Sequence, residues 1–355
     1  MTATPLTVIE SPPPQFTATE ACDVARQHFG LDVRATQLVS ERDQNFLLQV
    51  ADEPSWVLKI ANAAEDPLFT VFQIRALKHI ASRAAPLPVP VIRPTTNGAN
   101  HVELEKNGQT HIARVVSWLP GTPLAEKKLV PKLCRNLGAF LASLGESLHD
   151  FAEAGGEQTL LWDMRQAPAL RDVLPLVADP EMRELVASCL DDFATRALPQ
   201  FDALRCQVIH NDFNPDNILL DASRPNEIMG VIDFGDLQSA PLIVDIAIGA
   251  AYLRNADGDP LQHIAEFVSG YHAVTPLAVA EINLLYDLIS TRLATTVVIL
   301  DWRRGARKAD DSYLDKAAAS EATAAPFLRR LRELPRADVG RRLRQVCASV
   351  DATAE

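Results

Sequence analysis

The stretch Val208-Ile-His-Asn-Asp-Phe-Asn-Pro-Asp-Asn-Ile-Leu-Leu220, followed after a short break by Gly230-Val-Ile-Asp-Phe-Gly-Asp236, decides how the rest of this chain is read. An apolar run enters a polar loop carrying His210, Asp212 and Asn217, and a second apolar run leaves it. A turn and a third apolar run then end at Asp233. Asp and Asn alone would suit the Asx turns of a plain hairpin. The spacing from Asp212 to Asn217, with Ile-Asp-Phe-Gly one hairpin later, asks for more. It sets a carboxylate beside an amide on one loop and a second carboxylate at the end of the neighbouring strand.

Oxygen donors so arranged suit phosphoryl transfer. That reaction needs a carboxylate to accept the proton of an attacking hydroxyl, and hard oxygen ligands to hold Mg2+ on the β- and γ-phosphates of a nucleotide. The expected roles are Asp212 as catalytic base, with Asn217 and Asp233 as metal ligands.

Upstream of this island the chain reads as sheet. Residues 18–29 form a short helix capped by Thr17 or Thr19 and stopped by Gly30. Runs at 35–39, 45–50 and 56–60 then read as a β-meander. A helical spacing follows over 68–82, then a proline-punctuated stretch over 86–94. Asn107-Gly108 between the β-prone runs 101–105 and 110–118 is a hairpin signal. From Pro120-Gly121 onward helices dominate, over 131–151, 181–198, 260–273 and 277–302, interrupted only by the island. A tail over 1–17, an N-terminal lobe over 18–118 and a C-terminal lobe over 119–355 are therefore expected. The tail beyond Asp310 is rich in Ala, Arg and Glu and reads as helical, with no readable role.

The loop and strand together resemble the aminoglycoside phosphotransferase and choline kinase superfamily. Glu41-Arg-Asp-Gln-Asn-Phe46, Trp56-Val-Leu-Lys-Ile60, Trp118-Leu-Pro-Gly121 and Trp162-Asp163-Met164 most resemble its hydroxylysine kinase branch. The resemblance spans roughly residues 20 to 300 and implies an α+β, protein-kinase-like bilobal fold, with an antiparallel-sheet lobe followed by a mainly helical one. It implies a small-molecule kinase using ATP or GTP with Mg2+ and phosphorylating an amino alcohol; a cytoplasmic location is expected on the opening residues, apolar runs and cysteines instead. Hydroxylysine leads as acceptor; homoserine, choline, ethanolamine or an aminoglycoside are the alternatives. Pairing with an aminotransferase is a further implication. A nucleotide-binding pseudokinase is the rival reading, which the intact Asp212, Asn217 and Asp233 oppose.

Lys59 matches the lysine that contacts the α- and β-phosphates, although from its own strand it could equally be an edge gatekeeper. Kinases pair that lysine with a helix glutamate; here Gln73 occupies the following helix, and Glu65 or Asp66 could substitute. The turn over the phosphates lacks glycine, leaving Ser40, Asn45 and turn amides, with Arg42, to do the cradling. Ser117, Trp118 and Leu119 correspond to the purine-binding segment, where Trp118 is either a stacking ring or a core aromatic. His210 and Asp245 match loop-holding residues. Asp236 and Asp163 are candidates for a substrate ammonium.

Composition narrows the field further. Apolar residues make up 47% and charged residues 23%, with a formal charge of -12. This is an ordinary globular balance without the basic face that nucleic-acid binding needs. The five cysteines fall in no C-x-x-C pair, which supports neither a zinc site nor a disulfide framework. The opening residues carry no secretion-signal pattern, and the apolar run 241–253 is too short to span a bilayer.

Overall fold

The computed structural model describes residues 11–83, 87–306 and 321–354. Most of the expected N-terminal tail, the start of the proline-punctuated stretch and the first part of the tail beyond Asp310 lie outside the described residues. The chain divides into two compact units, one of residues 1–120 with 152–161 and one of residues 121–151 with 162–355. A single boundary near residue 118 does not anticipate the return of 152–161 to the first unit. There, Gly155 and Gly156 pack against the backbone of Leu68 and the ring of Phe72, where a Cβ would lie within 3.0 Å.

The first unit opens with α1 (Ala18–Phe29). Thr17 accepts the Glu20 N–H while Glu20 Oε2 accepts the Thr17 N–H at 2.7 Å, a reciprocal capping box. Gly30 closes the helix at φ 64°. Strands β1 (Arg34–Leu38), β2 (Gln44–Val50) and β3 (Glu53–Ile60) form the antiparallel meander. Helix α2 (Pro67–Ala81) and the two-residue β4 (Ile92–Arg93) come next. Then β5 (Val102–Lys106) and β6 (Gln109–Ser117) make the hairpin around Asn107 and Gly108, both with positive φ. The sheet runs β1-β2-β3-β6-β4, with β5 also on β6. Alternation turns Phe46, Leu48, Leu58, Ile60, Ala113 and Val115 toward a core shared with Phe16, Ala21, Ala25 and Phe29. The opposite face carries Asn45, Lys59 and Arg114, paired across three adjacent strands.

The second unit places β7 (Thr122–Pro123) beside the hairpin of β9 (Ile218–Leu220) and β10 (Ile228–Val231). Strand β8 (Cys206–Ile209) pairs instead with β11 (Gln238–Pro241), a strand without a sequence expectation. Around them lie α3 (Pro131–Leu148), α4 (Pro180–Asp192), α5 (Leu242–Ala251), α6 (Gln262–His272) and α7 (Val279–Ala306). The tail contributes α8 (Ala324–Arg332) and α9 (Arg336–Ala354), helical as its composition suggests. The apolar run 241–253 is largely α5, every residue of which is buried. A longer segment, Val279–Arg303, is long and apolar enough to cross a membrane, but 94% of its most apolar window is buried inside the fold. It is a core helix by packing.

Helices α3 and α6 meet through two glycines. A Cβ on Gly138 would sit 1.9 Å from the Phe267 carbonyl oxygen, and one on Gly270 would sit 1.9 Å from that of Arg135. Alanine normally favours a helix over glycine by about 1 kcal/mol. Here the backbone clash outweighs that gain, so Gly138→Ala is expected to destabilise the protein by about 2–3 kcal/mol in urea unfolding. An unchanged or raised midpoint would contradict the close approach. In α1, the Lys106 ammonium and the Thr17 N–H and hydroxyl hold the Glu20 carboxyl down at about 2. A depressed carboxyl stabilises the fold above its unfolded value and loses that contribution as pH falls. The stability advantage of the wild type over Glu20→Gln should therefore be full at pH near 6 and shrink below about 4. A pH-independent difference would remove the ion pair from the explanation.

Candidate active site

Strand β8 delivers the chain into a loop whose shape is set from below by Asp245, on the first turn of α5. Its Oδ2 accepts the His210 N–H at 3.0 Å and its Oδ1 the Asn211 N–H at 2.8 Å. Asn211 takes φ 63°, a left-handed conformation that Asn tolerates better than most residues. Burial pushes the Asp245 carboxyl up to about 6, and the two backbone N–H groups work against that rise.

His210 is fully buried and joins the two halves of the site. The Asp212 N–H donates to its Nδ1 at 3.3 Å, which leaves Nε2–H to donate to the Ile232 carbonyl at 3.2 Å. Nδ1 as acceptor and Nε2 as donor describe a neutral ring, and burial holds its pKa down at about 4. Phe234 meets the ring edge-on at 4.8 Å. The same histidine thus fixes the loop of Asp212 and the strand end that carries Asp233. A second bond, from the Ile232 N–H to the Asn217 carbonyl at 2.9 Å, repeats the link.

The Asp212 carboxylate is held by amides. Asn214 Nδ2–H donates to Oδ1 at 2.9 Å, and Asn217 Nδ2–H donates to Oδ2 at 2.7 Å and to the Asp212 carbonyl at 3.1 Å. With both N–H bonds spent on Asp212, Asn217 has only its amide oxygen left to offer. Asn214 Oδ1 accepts the N–H groups of Asp216 and Asn217, closing the loop on itself. The Asp212 carboxyl is raised well above the usual range, first by burial and then by the charge of Asp236, with Asp233 adding to it; Arg292 and the Asn214 amide oppose the rise. Asp233 is left-handed at φ 59°, its Oδ1 accepting the Gly235 N–H at 3.2 Å.

The Asp212 carboxyl, pushed up by the charges of Asp236 and Asp233, lies beside the remaining amide oxygen of Asn217, and such oxygen donors suit a hard divalent cation. Among the described residues no group of three or more His, Cys, Asp or Glu could hold a metal alone. Mg2+ keeps most of its shell as water and phosphate oxygens and takes one or two protein ligands, which Asn217 and Asp233 could supply.

Arg292, from the middle of α7, closes this side of the site. It is 3% exposed, with its Nη2 3.9 Å from Asp212 Oδ1 and donating to Tyr252 Oη at 3.1 Å. Its guanidinium lies over the Trp162 ring at 4.5 Å. Sequence reasoning singles out neither Arg292, Tyr252 nor Asn214. The available signal is a lone arginine inside the apolar run of α7, where only a paired charge survives. Asp163 is buried, and its Oδ1 caps the following turn by accepting the Arg165 N–H at 2.9 Å. Asp236 is buried beside Asp212.

In the first unit, Lys59 pairs across the sheet with Asn45 on one side and Arg114 on the other. Gln73 Oε1 accepts from the buried Arg114 guanidinium. Glu65 is buried against Thr70, with its carboxyl raised to about 7 by burial and Asp43 and lowered by Arg42 and Arg114. Asp66, the other possible substitute, is spent on capping α2. Ser40 and Arg42 lie in the turn between β1 and β2, which Asn62 ties down by donating to the Arg42 carbonyl at 3.2 Å. At the end of β6, Ser117 and Trp118 donate their N–H groups to Val91 and Ser55, and Leu119 comes next. Trp118 is 38% exposed, so it is not a buried core aromatic.

Known proteins resemble this chain in sequence and in fold. The model of the phosphotransferase enzyme family matches residues 34–281. A hydroxylysine kinase of Danio rerio is 24% identical over 313 residues, covering 85% of this chain and 88% of the relative. Its counterpart in Mus musculus is 25% identical over 309 residues, covering 81% and 82%. Among solved structures, a microcompartment-associated aminopropanol kinase superposes with a TM-score of 0.62 at 18% identity, covering 88% of this chain and 97% of its own. An amicoumacin kinase in complex with AMP-PNP and Ca2+ gives 0.64 at 15% identity, covering 88% and 94%. With a protein-kinase-like fold, and with most of its length matched by the family model, this chain belongs to the phosphotransferase enzyme family.

Proposed function

We propose that this phosphotransferase moves the γ-phosphoryl group of ATP or GTP to the hydroxyl of an amino alcohol, with hydroxylysine the leading acceptor. The observation that carries the reading is the Asp212 carboxylate, oriented by Asn214 and Asn217 and joined through His210 to the strand end of Asp233. A base needs a fixed direction toward the hydroxyl, and two amide donors supply it. Its raised proton affinity suits it to take the hydroxyl proton as the phosphorus–oxygen bond forms. Asn217 and Asp233 would hold Mg2+, whose charge offsets that of the nucleotide phosphates when bound. Lys59 is assigned to the α- and β-phosphates, Ser40 and Asn45 to the loop over them, and 117–119 to the purine. Gln73, through Arg114, keeps the Lys59 row in place.

Hydroxylysine leads because the two relatives above carry that name and because Asp236, beside the base, suits an ammonium. Homoserine, choline, ethanolamine and aminoglycosides remain the alternative acceptors, and pairing with an aminotransferase rests on resemblance alone. Five free thiols, Cys206 exposed among them, fit a reducing cytoplasm.

Asp212→Asn should lower turnover about a hundredfold or more in a phosphotransfer assay, while Mg-nucleotide still raises the melting temperature. Phosphorylation at the wild-type rate would remove Asp212 from the chemistry. Run across the acceptors above with both ATP and GTP, the same assay ranks the substrates, and nucleotide binding without turnover on any acceptor would favour a pseudokinase.

A further inference from the structure

Arg292 has more hydrogen-bonding capacity than the fold uses. Its Nη2 is engaged by Tyr252 and lies near Asp212, but its Nε and Nη1 are buried with no partner among the described residues. A buried guanidinium with idle N–H groups is costly, because each unpaired donor has given up water without replacement. One turn further along α7, Thr295 and Thr296 are buried as well, each with an unpartnered Oγ1. Residues three and four apart neighbour one another on a helix surface. These idle donors therefore share a face with Arg292, whose position 3.9 Å from the base is fixed by Trp162 and Tyr252.

We propose that Arg292 is the specificity-determining residue for the acceptor, receiving a carboxylate on its idle N–H groups with help from the Thr295 or Thr296 hydroxyl. The acceptor is then a hydroxy amino acid, not a simple amino alcohol or aminoglycoside. This rests on the reading of Asp212 as the base that meets the acceptor hydroxyl. It sharpens that reading, since the acids Asp212 and Asp236 favour the ammonium while Arg292 favours the carboxylate of one zwitterion. The transferred phosphoryl group is the rival ligand for Arg292. The carboxylate is preferred because Arg292 flanks the base on which the acceptor hydroxyl must sit.

The test uses acceptor pairs that differ only in the carboxyl group: hydroxylysine with hydroxycadaverine, and threonine with aminopropanol. Binding is read by calorimetry on the full chain with magnesium and a non-hydrolysable nucleotide, so no turnover is needed. The wild type is expected to bind the carboxylate-bearing member of a pair about tenfold or more tightly. Arg292→Lys, which keeps the charge but loses the planar fork, should take that ratio toward one. The nearly isosteric Thr295→Val and Thr296→Val, made together, should lower it in part, and they carry the test if Arg292→Lys proves unstable. Equal affinity within every pair, no acceptor bound, or a ratio unmoved by both variants would overturn the proposal. Turnover measured alongside separates the two readings: discrimination within pairs without phosphorylation would retain the carboxylate site and reject the kinase reading.

Discussion

Two successive backbone N–H groups, those of His210 and Asn211, converge on one buried carboxylate, Asp245. The rest of the site depends on that convergence. Successive N–H groups beside a left-handed residue form a small anion-binding concavity, and Asn211 supplies the left-handed turn. Burying Asp245 is expensive, as its raised proton affinity shows, and the two donors offset part of the cost. The consequence is geometric: with its backbone pinned, His210 can only present its ring between Asp212 and Ile232. The Asp212 loop and the strand end of Asp233 are then tied together by one neutral imidazole, whose protonation burial prevents through the physiological range.

Electrostatics in this unit run against the stability of the fold. Asp212, Asp233 and Asp236 crowd negative charge that a stable core would avoid, with Arg292 as a nearby counterweight. Strain of this kind is what a site built for a cation and a charged ligand would carry. Arg292 itself carries idle donors, so its presence is explained only in part by Asp212.

Much of this is legible in the sequence because local rules coincide with the structure. The helix cap, resolved as Thr17 in place of Thr19, the stop at Gly30 and the Asn107-Gly108 turn each act through neighbouring residues. Within the loop from His210 to Asn217 the bonds among Asp212, Asn214 and Asn217 are equally local, whereas the Asp245 carboxylate that holds its backbone comes from 34 residues or more further on. The features that escape depend on contacts distant along the chain. Arg292 reaches Asp212 from a remote helix, Gln73 turns to Arg114, and β8 finds β11 instead of the nearer β9. The glycines at the α3–α6 crossing give no local signal either, since a helix interior is where glycine is least expected.

The central claim is that Asn217 and Asp233 form the cation site and Asp212 the base beside it. Anomalous diffraction from crystals grown with manganese and a non-hydrolysable ATP analogue tests it directly. The expected result is a manganese peak in contact with the Asn217 amide oxygen, the Asp233 carboxylate and the analogue's phosphates, with Asp212 outside the first coordination sphere. A peak held by Asp212 and Asp236 with Asn217 uncoordinated, or no peak at this loop, would contradict it.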